Sequence, residues 1–272
     1  MVGMPEPFNP VWVTSCAEDM YSVSARHLIK SFLRLPVPGT LAFCYEKMLV
    51  STPKDLQRFQ IFDITSDPML QQLLYDYQDV IPLHLGGAHG DPCLCPGGPF
   101  EPRDKRHKPG CVTSWFCRNM FRWFRKFVAL GRVRNELPDR PVIWVDADCR
   151  FTAAPTAEEV ESWFKGNDVF YLKGPHRAVV EGSVVGWRLD HAGGREALYR
   201  VRANYFSGAF RQWPRWDDCF AVQHSLAQDP VIPVTDLGGE LGDHADVVSK
   251  SVLGKYLTHS KGRHGRELNI MK

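Results

Sequence analysis

Two acids one residue apart, Asp146 and Asp148, follow directly on the apolar run Pro141-Val142-Ile143-Trp144-Val145. Residues two apart in an extended chain project to the same side, so the two carboxylates are expected to converge on one cation. An oxygen-rich donor set suits a hard divalent ion, Mg2+ or Mn2+, which takes one or two carboxylates together with the oxygens of a substrate phosphate. The carboxyl end of a strand in an open α/β sheet is also where such folds bind ligands. The plain alternative is a polar turn closing a strand, because Asp-x-Asp is a frequent string.

A second set of ligand types, His89, Cys93, Cys95, His107, Cys111 and Cys117, has the right atoms for zinc but poor spacing. Cys93 and Cys95 form C-x-C rather than C-x-x-C, and no second close pair follows at finger spacing, so structural zinc is the lesser reading. Cys16, Cys44 and Cys149 lie inside apolar, strand-like runs, where a small buried thiol is the ordinary outcome; reduced thiols are expected.

The elements that must hold these residues can be read from periodicity. Val11–Cys16 is short and β-branched, and a helix over Tyr21–Leu35 follows with Ala25, Leu28, Ile29, Phe32 and Leu33 on one face. Strands are expected at Thr40–Tyr45 and Phe59–Ile64, and a short helix at Met69–Tyr77. Residues 84–112, rich in Gly and Pro, are expected to form a mobile loop beside the site. Ser114–Val133 is the strongest helix, with Phe116, Met120, Phe124, Phe127 and Leu130 in register and Arg118, Arg122, Arg125, Lys126 and Arg132 between them. Spacing alone favours a solvated basic face; a phosphate-facing cluster is the sharper reading. Pro141–Val145 reads as a central strand. Beyond it come a helix at Glu158–Phe164, strands at Val169–Leu172 and Glu181–Arg188, and helices at Arg195–Arg202 and Asp218–Gln228. This order gives an α/β fold with an open, mostly parallel sheet flanked by helices.

The chain has 272 residues, 44% apolar and 24% charged, which excludes disorder and collagen. Its 33 basic and 31 acidic residues give a net charge of +2, so any polyanion contact must come from a local patch. No apolar run approaches the roughly 20 residues that cross a bilayer. Residues 1–10 lack the basic-then-apolar layout of a signal peptide, so a cytoplasmic location is expected. With no repeat and no linker, a single domain over 1–272 is expected, in two halves at about 10–150 and about 151–272.

The layout from Arg122 to Asp148, an aromatic and basic helix followed by Val-Ile-Trp-Val-Asp-Ala-Asp, resembles the centre of GT-A glycosyltransferases that use a DxD motif. Glu181-Gly182-Ser183 resembles their acceptor-side E-[TS]-G segment with Gly and Ser exchanged, and Trp216-Asp217-Asp218 resembles the W-x-D of bacterial, phage and large-virus members. His259-Ser260-Lys261-Gly262-Arg263 is similar to their C-terminal H-x-K-G-x-[RK] element, and the opening Val11–Asp19 and Ser31-Phe32 also match.

The resemblance implies a metal-dependent transfer of a hexosyl or pentosyl group from a nucleotide-diphosphate sugar, with a UDP-sugar as default donor, to a hydroxyl acceptor such as a glycan. It implies that Asp148 binds the metal, that Asp146 contacts the ion or the ribose, and that His259 completes the coordination. Arg122, Lys126, Lys261 and Arg263 would face the diphosphate, Thr14 and Ser15 the base or ribose, and Tyr21 would stack on the base. Arg26 and Asp63 are weaker nucleotide contacts. An attacking hydroxyl must lose its proton, so a carboxylate is wanted near the anomeric carbon. Asp218 is the first candidate, with an N-cap as its ordinary role, and Glu181 the second. Trp187, Trp213 and Trp216 rank below them as sugar-stacking groups. Other readings stay open: a phage-type DNA glycosyltransferase acting on a hydroxymethylated base, nucleotidyl transfer, and a zinc-stapled nucleic-acid-binding module with no enzymatic role.

Overall fold

The computed structural model describes residues 7–46, 57–78, 96, 111, 117, 120–228, 231–239 and 246–260. The expected loop of 84–112 therefore lies outside the described residues except at Pro96 and Cys111, as do Lys261 and Arg263.

Strand β1 (Val11–Ala17) leads into a continuous helical stretch, α1 (Glu18–Met20), a π-helical turn (Tyr21–Ala25) and α2 (Arg26–Arg34). Then come β2 (Thr40–Glu46), β3 (Phe59–Asp63), α3 (Pro68–Asp76), α4 (Met120–Glu136), β4 (Pro141–Val145) and β5 (Cys149–Phe151). The second half supplies α5 (Ala157–Ser162), β6 (Val169–Leu172), β7 (Glu181–Arg188), α6 (Ala192–Phe206), α7 (Asp218–Ala227), β8 (Val234–Asp236), α8 (Val247–Lys250) and β9 (Leu257–His259). Seven strands form one sheet in the order β3-β2-β1-β4-β7-β6-β8, so both halves of the chain share it. Four of its six pairings are parallel, and β7 alone runs against its neighbours. This is the open, mostly parallel α/β sheet flanked by helices that the residue pattern predicts.

Alternation along the strands divides the core between the two sheet faces. Val11, Val13, Val142 and Trp144 join Phe124, Phe127 and Leu130 of α4, while Trp12, Ile143 and Val145 join Leu28 and Phe32 of α2 and Phe164. Burying Phe124 or Phe127 contributes roughly 1.5–3 kcal/mol each. All five residues of β4 are buried, as expected of a strand covered on both faces. No helix among the described residues is long and apolar enough to cross a membrane.

Two pairings assemble the site. Because β7 is antiparallel to β4, with Val145 opposite Val184, the start of β7 adjoins the end of β4, and the Asp146 amide donates to the Ser183 carbonyl at 2.8 Å. The short β5–β9 ladder sets Cys149 opposite His259, and the Ser260 amide donates to the Asp148 carbonyl at 3.2 Å. Residues 146, 148, 181–183 and 259, distant in sequence, thus meet at the carboxyl edge of the sheet.

Candidate metal and nucleotide site

The premise of an extended Asp146-Ala147-Asp148 needs correction. β4 ends at Val145, and the Cys149 amide donates to the Asp146 carbonyl at 2.9 Å, closing a tight turn between β4 and β5. The two carboxylates therefore have different partners instead of sharing one side of a strand. Asp146 Oδ1 accepts from Trp144 Nε1 at 2.5 Å and lies 3.3 Å from Lys126 Nζ. Asp148 Oδ1 lies 3.1 Å from His259 Nε2.

Asp148, Cys149 and His259 are a group of three whose ligand atoms lie within 4.8 Å of one another. Two donors at the ~2.1 Å expected for a small octahedral cation stand about 3 Å apart when adjacent, so the Asp148 to His259 spacing fits one edge of such a shell. Cys149 fits poorly. Burial, reinforced by the charges of Asp146, Asp148, Glu181 and Asp246, holds its thiol well above the usual range and so in the protonated form. The donor set available to a hard ion is thus a carboxylate and an imidazole. His259 also has its Nδ1 3.3 Å from Ser183 Oγ and 3.9 Å from Asp246 Oδ1. Burial pulls its pKa down, but the hydrogen bond to Asp148 and the charges of Asp148, Asp146 and Glu181 outweigh it and carry the imidazole above its ordinary value.

Lys126 is the hub of the acids. It is 4% exposed, projects from α4, donates to the Gly182 carbonyl at 2.6 Å and to the Asp218 carboxylate, and lies 4.8 Å from the Trp144 ring centroid. Burial would strip its proton, yet the charges of Asp146 and Asp218 hold it above the usual lysine range. Asp218, itself 4% exposed, is pushed up by burial against the pull of Lys126. The pair is an ammonium facing a carboxylate of raised proton affinity. The N-cap of α7 is Asp217, whose carboxylate accepts from the Phe220 amide at 3.1 Å and from Arg215 at 2.7 Å. Capping is therefore the work of Asp217, and Asp218 is free of that role.

Glu181, at the first position of β7, is 9% exposed; its Oε1 accepts from Ser183 at 2.6 Å and its Oε2 from Arg177 at 3.2 Å. Between the two acids, Gly182 leaves no room for a side chain, since a Cβ there would sit 2.2 Å from Asp218 Oδ2.

Other expected contacts fare differently. Thr14 is fully buried in β1, its Oγ1 without a hydrogen-bond partner among the described residues, so its hydroxyl lies beneath the surface of the site. Ser15, half-buried, lies at the same carboxyl edge as Asp146 through the parallel β1–β4 pairing. Tyr21 is half-buried with its ring 5.9 Å from that of Phe43. Arg122 is exposed and makes no ion pair among the described residues; a turn of helix separates it from Lys126. Arg26 and Asp63 are exposed, and Asp63 accepts from the Thr65 amide at 2.8 Å. Trp187, Trp213 and Trp216 are core residues, 0%, 6% and 2% exposed, so they are not available for stacking. Of the zinc candidates, His89, Cys93, Cys95 and His107 lie outside the described residues, and Cys111 and Cys117 belong to no three-ligand group among those described.

Sequence reasoning did not pick out Trp144, Arg177, Ser183 or Asp246 as site residues. Ser183 was within reach, being two residues from Glu181 on one strand and so on the same side. Nothing in the pattern joins Asp246 to His259.

No family model and no curated protein sequence matches the chain. Among solved structures, it is similar to mouse xyloside xylosyltransferase 1 in its apo form, at 12% identity and a TM-score of 0.48, over 95% of this chain and 99% of that one.

Proposed function

We propose that this chain is a metal-dependent glycosyltransferase that moves a sugar from a nucleotide-diphosphate donor, a UDP-sugar, to a hydroxyl group of a glycan. The observation that carries the proposal is the pairing of Asp148 with His259 at 3.1 Å, at the carboxyl edge of the sheet and beside a buried cluster of acids. A bound Mg2+ or Mn2+ would supply Lewis-acid stabilisation of the charge that develops on the departing diphosphate.

The chain's own residues divide the remaining work. Asp148 and His259 would hold the ion. Asp146, oriented by Trp144 and Lys126, would serve the ion or the donor ribose, with Ser15 and Tyr21 toward the nucleoside. Lys261 and Arg263, just past β9, would neutralise diphosphate oxygens. Of the two candidate bases we place Glu181 first. Both acids are engaged, Asp218 by Lys126 and Glu181 by Ser183 and Arg177, but the Arg177 contact is 3.2 Å long and its partners are the more exposed, so an incoming hydroxyl reaches Glu181 more readily. In the transfer, the bond from the anomeric carbon to the diphosphate oxygen breaks, a bond to the acceptor oxygen forms, and the hydroxyl proton passes to Glu181. Asp218 then acts as a positioning residue, fixing Lys126 and through it Asp146.

A thermal-shift panel of UDP-, GDP-, CMP- and dTDP-sugars, with and without Mn2+, tests this. One donor should raise the melting temperature only with the ion, because a ligand of the native state stabilises it by mass action. No Mn2+-dependent shift with any donor would contradict the proposal.

A further inference from the structure

Outside the acid cluster, a cleft of about 340 Å3 between α2 and β5 is lined by His27, Lys30, Ser31, Arg34 and Arg150. Its lining contains no acid. Arg26, Lys30 and Arg34 follow one another at four-residue intervals on α2, and none of them, nor Arg150, forms an ion pair among the described residues. Like charges four apart on a helix repel weakly, and an anion bound among them would relieve that repulsion. Elsewhere on this surface the basic side chains are often matched, as in Arg132 with Glu136 and Arg200 with Glu196.

Hydrogen bonds and ring packing join the two walls of the cleft. The Phe151 amide donates to Ser31 Oγ at 3.0 Å, and Ser31 Oγ donates to the Leu28 carbonyl at 2.8 Å, which ties β5 to α2. The Phe151 ring packs edge-on against Trp12 and Phe32. With Cys149 and Phe151 buried on one side of β5, strand alternation turns the half-buried Arg150 to the other, into the cleft. The positive field registers on His27, whose imidazole is held below its ordinary pKa first by partial burial and then by Arg150, Arg26 and Lys30.

We propose that this cleft binds the phosphate group of a small ligand, with Lys30, Arg34 and Arg150 as the anion contacts. Arginine forks match phosphate oxygens in pairs, and lysine adds a mobile point charge. The volume lies within the range of small-molecule pockets and exceeds what a bare ion fills, which favours a phosphate ester, such as a sugar phosphate, over inorganic phosphate. The proposal stands apart from the glycosyl-transfer reading, since none of these residues is assigned to the donor site in the proposed reaction.

Calorimetric titration of the whole chain at low salt with glucose 6-phosphate, inorganic phosphate and glucose tests it. Saturable binding of glucose 6-phosphate but not glucose is expected, with inorganic phosphate weaker. Equal affinity for inorganic phosphate would make the cleft a site for the free ion, still through the same contacts. In Arg34→Gln/Arg150→Gln binding should weaken about tenfold or more, as it should in Lys30→Gln, with melting temperatures near wild type because none of these side chains forms an ion pair among the described residues. Asp148→Ala should bind as wild type, which separates failure here from failure of the metal site. No binding of either phosphate at millimolar concentration, or undiminished binding in the variants, would overturn the proposal.

Discussion

Lys126 of α4 donates to the carboxylate of Asp218, the first residue of α7, and both are buried. Their pairing joins α4 to the start of α7, and the bond from Lys126 to the Gly182 carbonyl joins both to the start of β7. Removing one member of a buried pair leaves the other charge uncompensated, which costs about 3–5 kcal/mol. Lys126→Met should therefore lower the unfolding free energy by about that amount in urea titrations, and Lys126→Met/Asp218→Asn should recover part of it. A loss within the ~0–1 kcal/mol of a surface pair would contradict the burial described.

Gly182 tests the same junction from the other side. A methyl group there would meet Asp218 Oδ2, a neighbour held by Lys126 and so poorly able to retreat. Gly182→Ala should cost about 1–3 kcal/mol by overpacking and should also lower transfer activity, since Glu181 and Ser183 flank it. A variant of unchanged stability and activity would show that Asp218 yields.

How far the sequence reveals this site depends on the range of each interaction. Pro141–Val145, Val169–Leu172 and Glu181–Arg188 are legible as strands because apolar runs and alternation are local signals, and the structure has them at those bounds. The 146–149 turn is not legible: Asp-Ala-Asp after a strand reads equally as more strand, and only the Cys149 to Asp146 hydrogen bond closes it. Thr14 illustrates a second limit, since a hydroxyl at a strand end is read as accessible until the neighbouring layers are known to cover it. β8 and β9 are three residues each, too short for any period to register, yet β9 delivers His259. The exchange of Asp217 for Asp218 at the helix cap lies within the usual one-residue uncertainty of helix ends.

His27 gives a prediction in pH. Its folded pKa is lowered from 6.5 by partial burial and by Arg150, Arg26 and Lys30, so between the lowered value and 6.5 the unfolded chain binds more protons. This contribution to stability is complete above that interval and is lost as pH falls through it. The difference in melting temperature between wild type and His27→Gln should shift in favour of the variant as pH falls. Titration of the His27 ring by NMR should show its pKa rising when glucose 6-phosphate is added, because an anion offsets the surrounding bases. A pH-independent difference between the two proteins would contradict the account.

Cys44 and Cys149 are buried, and burial raises both thiols above the usual range, Cys149 with added repulsion from four nearby carboxylates. In native protein both should resist a disulfide reagent at mildly alkaline pH and react only as the chain unfolds, while Cys16, which is partly exposed, should react before either of them. Peptide mapping of the labelled protein would show this, and early modification of Cys149 would argue that the corner beside Asp148 is open.

The most direct test of the metal assignment is anomalous diffraction at the manganese edge from crystals grown with Mn2+ and uridine diphosphate. The account predicts one strong peak within coordinating distance of Asp148 and His259, lost in Asp148→Ala crystals of the same form. A peak at another set of side chains, or none beside these two, would contradict it.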